Sequence, residues 1–293
     1  MMAGLRECAA GVMLVVGGVM VAHASQGSGG AVCKPAGSLM TLSALPEASG
    51  LAIGKSSGAR LWMHNDSGAP ELIAVDAAGK VTGRVVLDGA RVDDWEALAS
   101  GPCGKNSCLY VGDIGDNDAS RKQITLYRVP EPAQASGTVK AETFHAAYPD
   151  SAHDAETLLV SPAGTVFVVT KGESGPVAVY KFPQQLQTGT TMKLERVGGV
   201  IAERPKAGDH VTDGAFSADG RWVVLRTRST LTFYRGEDFT RGNFKEAHRV
   251  DLSALNEPQG EAVVFGAGTT LYIGGEGGGK KQPGTLAALS CAP

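Results

Sequence analysis

One short phrase returns five times along the chain, and that repetition constrains the fold before any chemistry is considered. It reads Glu47-Ala48-Ser49-Gly50-Leu51-Ala52, Asp94-Trp95-Glu96-Ala97-Leu98-Ala99, Asp154-Ala155-Glu156-Thr157-Leu158-Leu159, Thr212-Asp213-Gly214-Ala215-Phe216-Ser217 and Gln259-Gly260-Glu261-Ala262-Val263-Val264. Each copy opens an apolar run. A glycine-containing turn follows, and then a second run rich in β-branched or aromatic residues, as at Val166 to Val169 and Trp222 to Leu225. Aligned on Ser49, Glu96, Glu156, Gly214 and Glu261, the copies lie 47, 60, 58 and 47 residues apart, room for four strands and their turns in each unit. The pattern predicts an all-β chain folded as a β-propeller of five blades, each of four antiparallel strands.

A propeller must close its ring, and the sequence shows where. Met40 to Glu47 echoes Val250 to Glu257, each just ahead of a repeat phrase, so the N-terminal segment reads as the outer strand of the fifth blade. Cys33 and Cys291 sit at the two ends of that seam, and Cys103 and Cys108 bracket a tight turn between two strands of one blade. These placements predict the disulfides Cys33–Cys291 and Cys103–Cys108. Zinc would want a second closely spaced cysteine pair near Cys103 and Cys108, and none is present.

The fifth cysteine, Cys8, lies in a segment that reads as a targeting signal. Arg6 precedes an apolar stretch from Ala9 to Val21, and Ala22-His23-Ala24 before Ser25 is a small-x-small cleavage pattern. We read residues 1–24 as a signal peptide, 25–37 as a lead carrying Cys33, and 38–293 as one propeller domain. The expected protein is exported, periplasmic or extracellular, monomeric, and without a membrane span after processing, because no other run approaches the roughly 18 apolar residues a spanning helix needs. A formal net charge of -3 offers no basic field for nucleic acid.

Topology then places the chemistry. In an antiparallel meander the start of the first strand and the end of the second emerge on the same face. Strand starts supply Glu47, Asp94, Glu96, Asp154, Glu156, Asp213 and Glu261; second-strand ends supply His64 to Ser67, Asp113 to Asn117, Lys171, Arg226 and Glu276. These side chains should converge on one mouth of the central channel, where like charges repel and desolvation worsens the repulsion. A bound cation, or pairing with Lys171 and Arg226, would relieve it. Carboxylates at blade junctions also serve as turn caps, as in Asp76-Ala77-Ala78-Gly79 and Asp219-Gly220. Turn chemistry does not explain why Glu recurs two residues past the junction in three blades. The expected metal ligands, for calcium, are Glu96, Asp113, Glu156 and Glu261; the expected ligand-binding residues are Asp66, Asp94, Lys171, Arg226 and Glu276. Asp113 to Asp118 is rich in carboxylates but lacks EF-hand spacing. His64, His153 and His210 fall near junctions without a recognisable hydrolase motif around them.

The order Ser-Gly-Leu-Ala, Leu-Trp-x-x-Asn-Asp-Ser-Gly, Asp-Trp-Glu-Ala-Leu-Ala, Leu-Tyr-Val-Gly-Asp-Ile-Gly-Asp-Asn and Tyr-Arg-Val-Pro-Glu-Pro, spread over Ser49 to Pro132, resembles a family of exported bacterial β-propeller proteins. More distantly the phrases are similar to those of esterase-like-phytase and SdiA-regulated propellers, in which a strand-opening Asp-x-Glu-Gly faces the channel. That resemblance implies a calcium-assisted ester or phosphoester site. This chain departs from it with Ala97, Thr157 and Ala262 after the glutamate, and with five repeats where those families resemble six-bladed rings.

Three functions follow as expectations. The first is a binding module holding a divalent cation and a small polar ligand at the acidic mouth. The second is a hydrolase, either by cation-assisted attack of water on an ester or phosphoester or as a glycosidase with two carboxyls about 5 to 10 Å apart. The third is a scaffold for protein partners, which would expose aromatic or apolar residues, with Trp95 the conspicuous one near the mouth.

Overall fold

The computed structural model describes Met1 and residues 32–55, 60–279 and 281–293. The apolar stretch and cleavage pattern read as a signal peptide lie outside the described residues. Among the described residues no helix is long and apolar enough to cross a membrane.

The chain is a five-bladed β-propeller. Blade 1 runs Ala48–Ile53, Leu61–Asn65, Glu71–Val75 and Val81–Asp88; blade 2 runs Trp95–Cys103, Asn106–Asp113, Ile124–Pro130 and Glu142–Ala147. Blade 3 is Ala155–Val160, Val166–Thr170, Val177–Lys181 and Glu195–Ile201, and blade 4 is Val211–Phe216, Trp222–Thr227, Thr230–Arg235 and Glu246–Asp251. Blade 5 takes Gln259–Phe265, Thr270–Glu276 and Gly284–Ala292 from the end of the chain and its outer strands from the beginning. Met40–Leu42 and Val32–Pro35 both pair antiparallel with Gly284–Ala292. Cys33 lies directly opposite Cys291 in that ladder and is bonded to it, and Cys103–Cys108 crosses the blade-2 hairpin. The seam and both disulfides are as the repeats and cysteine placement predict.

Successive side chains of a strand point to opposite faces, and here both faces of a blade are covered by its neighbours. The inner and middle strands therefore carry apolar residues almost without alternation; Ala155–Val160 and Val166–Thr170 are buried throughout. The result is five apolar clusters, one between each adjacent pair of blades, such as Leu126, Phe144, Leu158 and Tyr180 between blades 2 and 3. The outer strands alternate, because one side of them is wet: Val81–Asp88 buries Val85 and Leu87 while exposing Val86 and Asp88. Two short strands stitch neighbours together. Gly137–Lys140, from the chain of blade 2, pairs parallel with Val81–Asp88, and Thr191–Lys193, from blade 3, pairs parallel with Glu142–Ala147.

Closure by Cys33–Cys291 links positions 258 residues apart, so it removes more freedom from the unfolded chain than Cys103–Cys108, whose separation is 5. In the chain-entropy treatment the two are worth about 5 and about 2 kcal/mol. Peptide mapping of non-reduced protein should recover these two pairs, and the double substitution Cys33→Ser, Cys291→Ser should lower the denaturation midpoint more than Cys103→Ser, Cys108→Ser. The reverse order would show that the seam is not what holds the ring.

Candidate functional site: an acidic channel mouth

Each blade meets the channel through the same local device. Pairing between the inner and second strands slips by one residue near the start of the inner strand, between Ala48 and Leu51, Trp95 and Ala97, Ala155 and Thr157, Val211 and Asp213, and Gly260 and Ala262. A bulge leaves its extra residue unpaired and re-aims that side chain. The residues placed there are Ser49 with Gly50, Glu96, Glu156, Thr212 and Glu261. The alignment on Gly214 is therefore two residues out: in blade 4 the counterpart of the glutamates is Thr212. Gly214 is a packing glycine, where a Cβ would lie 2.7 Å from both Leu225 Cδ2 and the Val224 carbonyl oxygen.

The bulge residues of blades 2 to 5, Glu96, Glu156, Thr212 and Glu261, line a cavity of about 410 Å³ at the axis, while Ser49 and Gly50 do not reach it. Of the expected site residues, Asp66, Asp94, Glu96, Glu156, Lys171, Glu261 and Glu276 line it together. Glu173, His210, Thr212, Arg228 and Gln259 join them without having been assigned from sequence. Thr212 was recoverable only through the bulge register.

Two expected residues do not line the mouth. Asp113 is 1% exposed; its carboxylate accepts the Asp93 N–H at 3.0 Å and pairs with Arg121 at 2.8 Å, so it holds the loop that presents Asp94. Its neighbour Asp116 caps its own loop, accepting the N–H groups of Ser120 and Arg121. Arg226 is fully buried. It donates to the carbonyls of Ala262 and Gly274 and pairs with Glu257 at 2.5 Å, tying blade 4 to blade 5. Trp95 is also fully buried, its indole N–H donating to the Arg91 carbonyl, and so is not displayed to a partner.

Charge in the mouth is unbalanced. Seven carboxyl groups face Lys171 and Arg228. The Lys171 ammonium lies 2.6 Å from Glu156 and 3.4 Å from both Asp154 and Glu173; burial works against its charge, but the carboxylates, Glu156 foremost, hold its pKa above the usual lysine range. Glu96 takes a hydrogen bond from the Ser49 hydroxyl at 3.0 Å. Burial, then Glu156 and Asp94, keep Glu96 well above the ordinary carboxylate range. Burial and Glu261 do the same to Glu156 despite the lysine, and burial raises Glu261 and Asp94. Burial and Glu47 push Asp66 up to about 6, and burial with Glu261 and Asp66 pushes Glu276 up to about 7. The buried hydroxyl of Thr212 and Asp66 Oδ1 have no protein hydrogen-bond partner. Among the described residues no group of three or more histidine, cysteine or acidic side chains is arranged to hold a metal ion as it stands.

Behind the wall His64 is buried against Trp95, with one ring nitrogen on the Asn65 carbonyl, and burial lowers its pKa to about 4.

No protein-family model matches the chain, and no curated protein matches it in sequence. In structure it is similar to the PQQ-bound form of an aldose sugar dehydrogenase from Streptomyces coelicolor, at 12% identity and a TM-score of 0.54, over 89% of this chain and 98% of that one. A virginiamycin B lyase from Staphylococcus aureus aligns at 9% identity and a TM-score of 0.44, over 90% and 88% of the two chains. At 12% identity the likeness to the dehydrogenase is one of fold alone.

The shifts predict opposing pH effects. Folding raises the Asp66 and Glu276 pKa values, so the folded state holds protons that the unfolded chain has released; the stability they contribute is present at low pH and lost as pH rises through about 6 to 7. His64 has the opposite sign, because its folded pKa is depressed: its contribution is present above about 6.5 and lost as pH falls toward about 4. Asp66→Asn and Glu276→Gln, which mimic the protonated groups, should each raise the melting temperature by clearly more at pH 8 than at pH 4.5. Equal effects at both pH values would contradict the assigned shifts.

Proposed function

We propose that the protein is an exported, monomeric binding module whose channel mouth takes a divalent cation, calcium, together with a small polar ligand. The observation that carries this reading is the surplus of buried and half-buried carboxyl groups around one cavity, with too few cations beside them and with Asp66 and Glu276 driven toward neutral pKa values. A bound cation relieves that repulsion; protons are what relieve it otherwise. The unpartnered Thr212 hydroxyl adds a neutral polar group to the same wall. The carboxylates do not stand as a ready-made cage, so Glu96, Glu261 and Glu276 would have to rotate their side chains toward the ion, with water completing a shell of six to eight oxygens. Glu156 stays with Lys171, and that lysine and Arg228 would face an anionic group on the ligand. Two disulfides support an oxidising destination.

A hydrolase is the second reading, and one observation favours it. Glu276 at about 7 and Asp66 at about 6 would share protons near neutral pH, as a general acid and its partner must. The scaffold reading finds little support, since among the described residues the large hydrophobic side chains left exposed are Met1 and Val86.

Melting in calcium and in chelator tests the proposal. A ligand bound only by the folded state stabilises it by about 2.7 kcal/mol at a hundredfold excess over Kd. Calcium must displace the proton from Glu276, so its effect should be smaller at pH 5 than at pH 8. Glu261→Gln and Glu276→Gln should abolish it, and Asp76→Asn, in a distant turn, should not. Identical melting of the wild type in calcium and chelator at pH 8 would remove the cation from the account.

A further inference from the structure

The loop 148–154, which leads from the outer strand of blade 2 to the inner strand of blade 3, holds a second polar cluster that the mouth does not use. Asp150, His153 and Tyr180 form a closed triangle. The Tyr180 hydroxyl is 2.8 Å from Asp150 Oδ2 and 3.0 Å from His153 Nε2, and Nε2 is 3.1 Å from Asp150 Oδ1. The rings of Tyr148, edge-on at 4.9 Å, and Tyr180, at 5.4 Å, fix the plane of the imidazole.

Counting protons around the triangle determines the tautomer. Burial alone would raise the Asp150 pKa, but hydrogen bonds from Tyr180, the Ser151 N–H and His153 hold it below the usual carboxylate range, so this carboxylate only accepts. The Tyr180 O–H is therefore directed to Asp150 Oδ2, which leaves the phenolic oxygen as an acceptor. Were Tyr180 instead to donate to Nε2, two pairs of acceptors would face each other at hydrogen-bond distance. Neutral His153 thus carries its proton on Nε2 and presents an Nδ1 lone pair.

His153 lines a separate cleft of about 380 Å³, along with Ser151, Asp154, Thr170, Ser174 and Gly175. Among the described residues no lysine or arginine lines the cleft, so an anion finds no counter-charge in its wall. Asp154, the one carboxylate in the wall, already faces Lys171. What the cleft offers is the hydroxyls of Ser151 and Ser174, main chain and the His153 imidazole, since the Thr170 hydroxyl is taken by the Pro176 carbonyl and the Ala178 N–H. We infer that it is a second ligand site, distinct from the acidic mouth, for a small neutral polyhydroxylated molecule, one of whose hydroxyls donates to His153 Nδ1.

Long-range proton–nitrogen spectra of the histidine-labelled full chain at pH 8 test this, with glucose and glycerol as the probes. The His153 ring should show a protonated Nε2 and a bare Nδ1, and glucose or glycerol should move the Nδ1 resonance saturably, along with the amides of Ser174 and Gly175. His153→Phe, which keeps a ring between Tyr148 and Tyr180, should abolish the amide shifts while leaving the calcium response of the mouth intact. A proton on Nδ1, a resonance that neither probe moves saturably, or amide shifts that survive His153→Phe would each overturn the inference.

Discussion

The pairing of the N-terminal strands with Gly284–Ala292 is the contact on which the rest depends. Each inner strand packs on the inner strand of the next blade, and that of the fifth packs on that of the first. A blade buries both faces only if it has two neighbours, so an open ring would leave the cluster between blades 5 and 1, with Leu45, Leu51, Met63 and Leu286, facing water. The mouth has the same requirement. Its lining comes from all five blades or the loops that join them, and it exists only when the circle is complete.

Closure crowds charge. The bulges direct Glu96, Glu156 and Glu261 toward one axis, and the mouth holds one strong internal neutraliser, Lys171 against Glu156. Arg226, the other cation at a second-strand end, is turned away into the seam between blades 4 and 5, where Glu257 meets it. Beside it Asp213 is wholly buried, one oxygen on the Val263 N–H, and burial holds its pKa well above the ordinary range. The cations that might have quietened the mouth thus stabilise the wall instead. Carboxyl groups left without counter-charge at an open cavity are a standing attraction for a cation, and that imbalance is the physical basis of the proposed function.

The blades, the seam and most of the mouth were legible in the sequence because they follow from periodicity: a phrase that recurs marks a strand that recurs, and polar residues at its start must share a face. The bulge was not legible, because it is a relation between two strands. Thr212 and Gly214 are equally plausible partners for Glu156 until the pairing of Val211 with Thr227 and Asp213 with Arg226 is known. Arg226 was misplaced for a related reason. It finds room inside because Gly260 of the next blade has no side chain; a Cβ there would lie 2.2 Å from the guanidinium. Asp113, expected at the mouth as a ligand, pairs instead with Arg121, eight residues on. In each case the missing information was the neighbour across a sheet or a blade interface.

The central claim is that mouth carboxyls are held near neutral pKa by burial and by one another. Titrating the Glu276 side-chain carboxyl by carbon NMR measures it directly. The account predicts a midpoint near 7 in chelator, moving down when Asp66 is replaced by Asn, because Asp66 is among the charges that raise it. A midpoint near the ordinary 4.5, unmoved by that substitution, would mean that water and counter-charges already quieten the mouth, and the case for a bound cation would go with it.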